Sequence, residues 1–108
     1  LMNEADRKYF DRIGLTAREF IYGDAVALRV KTAAMGGVIA HFVKPNGPAG
    51  VAGLHIDDWI KEIDGVEVKS FAAAAEKLGE IEADTSRAEF VLLVSRGGET
   101  AVLRVKLR

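Results

Sequence analysis

The sequence predicts an α+β fold, a partly open antiparallel β-barrel or sandwich of five or six strands with two or three short helices. Three observations carry that prediction: an Asp64-Gly65 hairpin signal between apolar stretches, two alternating stretches at the end of the chain, and an amphipathic helix after Ser70. The 108 residues suit one domain around one core. Their composition, 49% hydrophobic and 29% charged, is that of a globular chain rather than a disordered one.

Residues 1–11 are polar with a late aromatic pair, Tyr9-Phe10, and read as a lead-in or the tail of a linker helix ahead of a domain spanning 12–108. From Ile13 to Ile21 a loose alternation closed by Tyr22-Gly23 suits a first strand. Residues 24–34 admit two readings. Asp24 offers an N-cap, and Val26, Val30, Ala33 and Ala34 recur at helical spacing before Gly36-Gly37, which favours a helix; Val26, Leu28 and Val30 also alternate as a strand would.

Val38–Val43 is a compact β-rich run and reads as a buried strand. Pro48 suits a first helical turn, with Gly53 placed to end a short stub. Asp58–Ile63 and Val66–Val68 flank Asp64-Gly65, whose two positions tolerate the positive φ of a tight hairpin. Ser70 caps a helix with Phe71, Ala74, Ala75 and Leu78 on one face, Glu76, Lys77 and Glu80 on the other, and Gly79 near its end. Phe90, Leu92 and Val94, then Ala101, Leu103, Val105 and Leu107, alternate in two strands joined through Arg96-Gly97-Gly98-Glu99.

Several chemistries are excluded or disfavoured. With 15 basic and 16 acidic residues, a net charge of -1 gives no cationic surplus for nucleic acid. The absence of cysteine removes disulfides, thiolate metal sites and cysteine nucleophiles. Ser70, Ser86 and Ser95 with His41 and His55 form no recognisable triad motif, so the chain is expected to be non-catalytic and to need no cofactor or metal. Asp57-Asp58 reads as turn chemistry, because adjacent carboxylates on extended backbone point to opposite sides. Arg104, Lys106 and Arg108 read as a solvated strand face that protects a sheet edge. No apolar run reaches membrane-spanning length, and the start at Leu1 leads us to expect a piece of a longer protein.

The stretch Gly47-Pro48-Ala49-Gly50-Val51-Ala52-Gly53-Leu54-His55-Ile56-Asp57-Asp58-Trp59-Ile60-Lys61-Glu62-Ile63-Asp64-Gly65-Val66-Glu67-Val68 resembles the central signature of PDZ domains. It departs at Gly47, where Ser is common, and at Asp57, where Gly is usual. The order of elements resembles the circularly permuted variant of bacterial HtrA-type proteases, over about Arg12 to Leu107. The resemblance implies a module that binds hydrophobic C-termini or exposed β-strands by strand addition, carried by a larger bacterial envelope or periplasmic protein. The alternative is a regulatory or assembly domain whose groove docks a neighbouring domain of its own chain or oligomer.

By the same resemblance the carboxylate-binding loop falls on Arg12-Ile13-Gly14-Leu15, with Arg12 in place of an aromatic residue. Gly14 permits a turn that aims consecutive N–H groups outward, a nest for a terminal carboxylate. Leu15, Thr16 and Ala17 begin the strand that pairs with peptide, and Phe71, Ala74, Ala75 and Leu78 wall the opposite side. Ile13, Leu15 and Phe71 also read as ordinary core. The expected partners are peptide or protein C-termini with a bulky apolar last residue, and an apolar residue two positions earlier, since Ser70-Phe71 stands where many PDZ domains carry histidine.

Overall fold

A computed structural model describes residues 5–108. Seven strands form one open antiparallel sheet: β1 (Arg7–Phe10), β2 (Leu15–Glu19), β3 (Val38–Val43), β4 (Trp59–Ile63), β5 (Val66–Glu67), β6 (Glu89–Arg96) and β7 (Glu99–Lys106). The order is β1-β2-β3-β4-β6-β7, with the short β5 paired to β4. Three α-helices complete the fold: α1 (Tyr22–Leu28), α2 (Pro48–Val51) and α3 (Phe71–Ala83). A 3-10 turn spans Thr32–Ala34.

The hairpin at Asp64-Gly65 forms as its residues dictate. Both take positive φ, 52° and 75°, and Ile63 faces Val66 across the turn. In β6 and β7 every second residue turns inward, so Phe90, Leu92, Val94, Leu103 and Val105 are buried, while Arg104 and Lys106 stay in solvent. Ser70 caps α3, its hydroxyl accepting the Ala73 N–H at 3.1 Å. The helix then lays Ala74, Leu78 and Ile81 into the main core beside Ile13, Leu15, Ile60 and Leu92.

Three readings are corrected. Arg7–Phe10, assigned to a lead-in, is a strand that raises the count to seven. Tyr22-Gly23 begins α1 rather than closing a strand. Asp24 lies one turn inside that helix and reaches back to accept the Ile21 N–H at 2.8 Å, and Val26 is 61% exposed while Ala25 supplies the buried contact. Gly79 lies one turn before the end of α3 at Ala83, and that last turn buries Ile81.

A second, smaller core joins Phe20, Ala25, Ile39 and Trp59. The Trp59 indole packs against Phe20, ring centres 4.8 Å apart and planes tilted by 39°, and donates to the Gly36 carbonyl at 2.7 Å. The chain passes so close here that a side chain on Gly37 would stand 2.5 Å from the Ile60 carbonyl oxygen. Asp57 carries a φ of 75°, so an aspartate takes the left-handed conformation at the position where the family pattern places glycine. Its neighbour Asp58 is the buried charge among the described residues, held by Arg96 and by the His55 N–H.

Candidate peptide groove

Strand β2 has two edges. One pairs with β3, with a register shift between Thr16 and Ala17. The other faces α3, which packs against β1, β2 and β4. The residues expected to form a binding groove therefore meet. Leu15 and Ala17 are buried on β2, Thr16 is half-buried, Ala74 and Leu78 are fully buried on α3, and Phe71 and Ala75 are half-buried beside them.

The loop between β1 and β2 is built around Gly14. At a φ of 77° it turns the chain, and its Cα side is closed by Lys44 and Gly47. The resulting donors have definite partners. The Gly14 N–H donates to the Phe10 carbonyl at 2.8 Å. The Arg12 and Ile13 N–H groups donate to the two oxygens of one carboxylate, Glu82 on α3, at 2.7 and 3.0 Å. A carboxylate thus sits on two consecutive backbone donors, the arrangement expected of an anion nest.

Arg12 itself turns away from this nest. Its guanidinium donates to the carbonyls of Ile81, Asp84 and Arg87, at 3.1, 2.8 and 2.7 Å, and so ties the last turn of α3 to the loop that leads into β6.

The edge of β2 that faces α3 carries β1. The register is Arg7 to Arg18, Lys8 to Ala17, Tyr9 to Thr16 and Phe10 to Leu15, extended by a bond from the Glu19 N–H to the Asp6 carbonyl at 2.7 Å. Phe10 is 1% exposed and belongs to the same buried cluster as Ala74, Leu78 and Ile81. Beyond Asp6 the groove opens into a hollow lined by Glu19, Phe20, Met35, Lys69, Ser70 and Phe71. Sequence reasoning missed Phe10 and Glu82. The aromatic pair Tyr9-Phe10 was the available signal for the first; Glu82 lies 69 and 70 positions from its partners and gave none.

Among the described residues no cluster of acidic or histidine side chains is arranged to hold a metal, and no helix is long and apolar enough to cross a membrane. His41 is exposed on β3 near the Arg7 guanidinium. Asp57 is exposed and Asp58 buried; the two carboxylates part, but on a turn with Asp57 in the left-handed conformation rather than on extended backbone.

No family model matches the sequence, and no curated protein matches it. Solved structures do. The PDZ domain of HtrA3 bound to a phage-derived ligand superposes with a TM-score of 0.66 at 18% identity, covering 95% of this chain and 86% of that one. The HtrA-type protease AlgW with a decapeptide gives 0.69 at 20% identity, over 94% of this chain and 29% of AlgW. The serine endoprotease from Yersinia pestis gives 0.52 at 19% identity, over 83% and 28%. The strand order, the Asp64-Gly65 hairpin and helix α3 across from β2 together give this chain the PDZ fold in its HtrA-type arrangement.

Proposed function

We propose that this chain is a non-catalytic peptide-recognition module that takes hydrophobic C-termini, or exposed β-strands, onto the β2 edge by strand addition. The observation that carries the reading is that this edge already accepts a strand. Arg7–Phe10 runs antiparallel to β2 with its last residue at the Arg12–Gly14 loop, the direction in which a C-terminal peptide would enter. That two structures of the same fold hold a phage-derived ligand and a decapeptide supports it further.

In this reading Ile13, Gly14 and Leu15 lie at the terminal carboxylate, Thr16 and Ala17 pair with peptide backbone, and Phe71, Ala74, Ala75 and Leu78 line the side-chain wall. The preferred last residue is Leu, Ile, Val or Phe, with an apolar residue two positions before it. The parent is a larger bacterial envelope protein, such as an HtrA-like serine protease working in the periplasm.

A second reading is favoured by the same strand: a regulatory or assembly role in which the groove docks a segment of its own chain or oligomer. The experiment is calorimetric titration of C-terminal peptide libraries, each as free acid and as amide. Saturable binding that favours free acids with bulky apolar ends supports recognition. Silence across the library supports the docking role, and enrichment of Ser or Thr two before the end contradicts the assigned selectivity.

A further inference from the structure

We propose that β1 is an intramolecular latch, a built-in ligand that closes the peptide groove and prescribes the chemistry of whatever opens it. The inference rests on the reading of the β2–α3 groove as a peptide site and adds its regulation.

Three contacts that a C-terminal peptide would make are already made by the chain itself. Backbone pairing comes from Arg7–Phe10, antiparallel to β2. The large apolar end comes from Phe10, buried with Ala74, Leu78 and Ile81. The terminal carboxylate is divided in two: the Phe10 carbonyl takes the Gly14 N–H, and the Glu82 carboxylate takes the N–H groups of Arg12 and Ile13. The N–H groups of Arg12, Ile13 and Gly14 are all engaged, so an arriving peptide must displace their partners rather than fill a vacancy.

The latch is nonetheless lightly fastened. Of the four residues of β1 only Phe10 is buried; Arg7, Lys8 and Tyr9 are exposed. Release costs the burial of one aromatic side chain, a short ladder of hydrogen bonds and the exposed contacts of Arg7 with His41 and of Tyr9 with Phe42, and a peptide with a free carboxyl after a bulky apolar residue restores the first two. The opener is therefore a free C-terminus ending in an aromatic or large aliphatic residue, since an internal strand brings no carboxylate for the donors that Glu82 gives up.

Two variants of the full chain separate the open and closed states. The Glu19-to-Asp6 bond marks alternate pairs as hydrogen-bonded, which places the Lys8 N–H on the ladder opposite Ala17. Lys8→Pro removes that donor at an exposed position and leaves the Phe10 side chain intact. Conversely, Tyr9→Cys with Thr16→Cys joins directly opposed residues in a chain that has no other cysteine, and oxidation pins β1 in place.

The probe is the latch's own sequence as a free peptide, Ala-Asp-Arg-Lys-Tyr-Phe, with a free or an amidated C-terminus, labelled at the N-terminus and followed by fluorescence anisotropy. Hydrogen exchange at Ala17 and Glu19 reports whether β1 is docked. The expected result is that Lys8→Pro binds the free acid at least about tenfold more tightly than the unaltered chain, because the competent fraction rises. The oxidised pair is silent, and reduction restores binding. Equal affinity in all three proteins overturns the latch while leaving peptide recognition standing at another place. An opened Lys8→Pro, with fast exchange at Ala17 and Glu19, that binds no peptide overturns both the latch and the reading on which it rests.

Discussion

Arg96 grips the buried Asp58 carboxylate from 38 residues away, Nε to Oδ1 at 2.7 Å and Nη2 to Oδ2 at 2.5 Å, and so ties the end of β6 to the turn before β4. The two partners differ in surroundings: the Asp58 side chain is 1% exposed and the Arg96 side chain 40%.

That difference predicts an asymmetry. Arg96→Ala leaves a buried carboxylate with the His55 N–H alone, whereas Asp58→Asn leaves a guanidinium that water can reach. Arg96→Ala should therefore lower the urea midpoint more than Asp58→Asn does, with the slope unchanged. Equal losses from the two variants would contradict the assigned burial.

Arg12→Ala should destabilise the fold through the end of α3. The side chain donates to the Ile81 and Asp84 carbonyls there and to Arg87 in the loop beyond, so its loss should cost about 2 kcal/mol. Chemical denaturation measures the cost, and faster amide exchange over residues 80–84 locates it. A loss that vanishes in high salt would instead describe an exposed cation acting at long range.

Acid should weaken the packing of α1 through Asp24. The hydrogen bonds from Arg18, at 2.7 and 2.8 Å, hold its carboxyl below the ordinary carboxylate range, with burial opposing and the Ile21 N–H assisting. A carboxyl whose folded-state pKa is depressed adds stability above its unfolded-state value, and that contribution is lost as pH falls from about 4 through the folded-state pKa. Asp84, lowered by its hydrogen bonds with Ser86, has the same sign. The stability gap between the unaltered chain and Asp24→Asn should be clear at neutral pH and close in strong acid; a gap that widens in acid would reverse the sign.

Glu82→Gln should loosen the nest without unfolding the chain. The amide keeps one acceptor for the two N–H groups of Arg12 and Ile13 and loses the charge that strengthens both bonds. Affinity for a free-acid peptide should rise and affinity for its amide should stay where it was, read by anisotropy on the two peptides side by side. A fall in free-acid affinity would mean that Glu82 assists the ligand rather than standing in for its carboxylate.

Gly14→Val should be costly for reasons the turn makes plain. The position has a φ of 77°, and an added Cβ would lie 3.2 Å from the Lys44 Cβ. A β-branched residue there should cost about 1–3 kcal/mol from backbone strain, read as a lowered denaturation midpoint.

What the sequence disclosed follows from how local each signal is. Asp64-Gly65 announced its hairpin because two adjacent residues fix both the turn and the register. The inward faces of β6, β7 and α3 were legible because each repeats several times at one period. Strand β1 was not, since a single buried residue in four makes no alternation, and a strand that lies along a groove is recruited by its neighbours rather than by its own pattern. The turn at Gly14 was legible from the glycine itself, but the partners of its donors were not: the Gly14 N–H goes to the Phe10 carbonyl, and Glu82 reaches the Arg12 and Ile13 N–H groups only after the whole sheet has brought α3 alongside. Gly79 marked the neighbourhood of the helix end but not the last residue, because the burial of Ile81 beyond it is a tertiary signal.

Only residues 11–14 separate β1 from β2. A strand tethered by so short a loop meets its edge at an effective concentration of about millimolar or higher. A free peptide of equal intrinsic affinity, present at about micromolar levels, loses that contest. The contest turns when the challenger is itself confined, on a neighbouring subunit or on a substrate already held by the same assembly, and the groove then responds to proximity rather than to abundance.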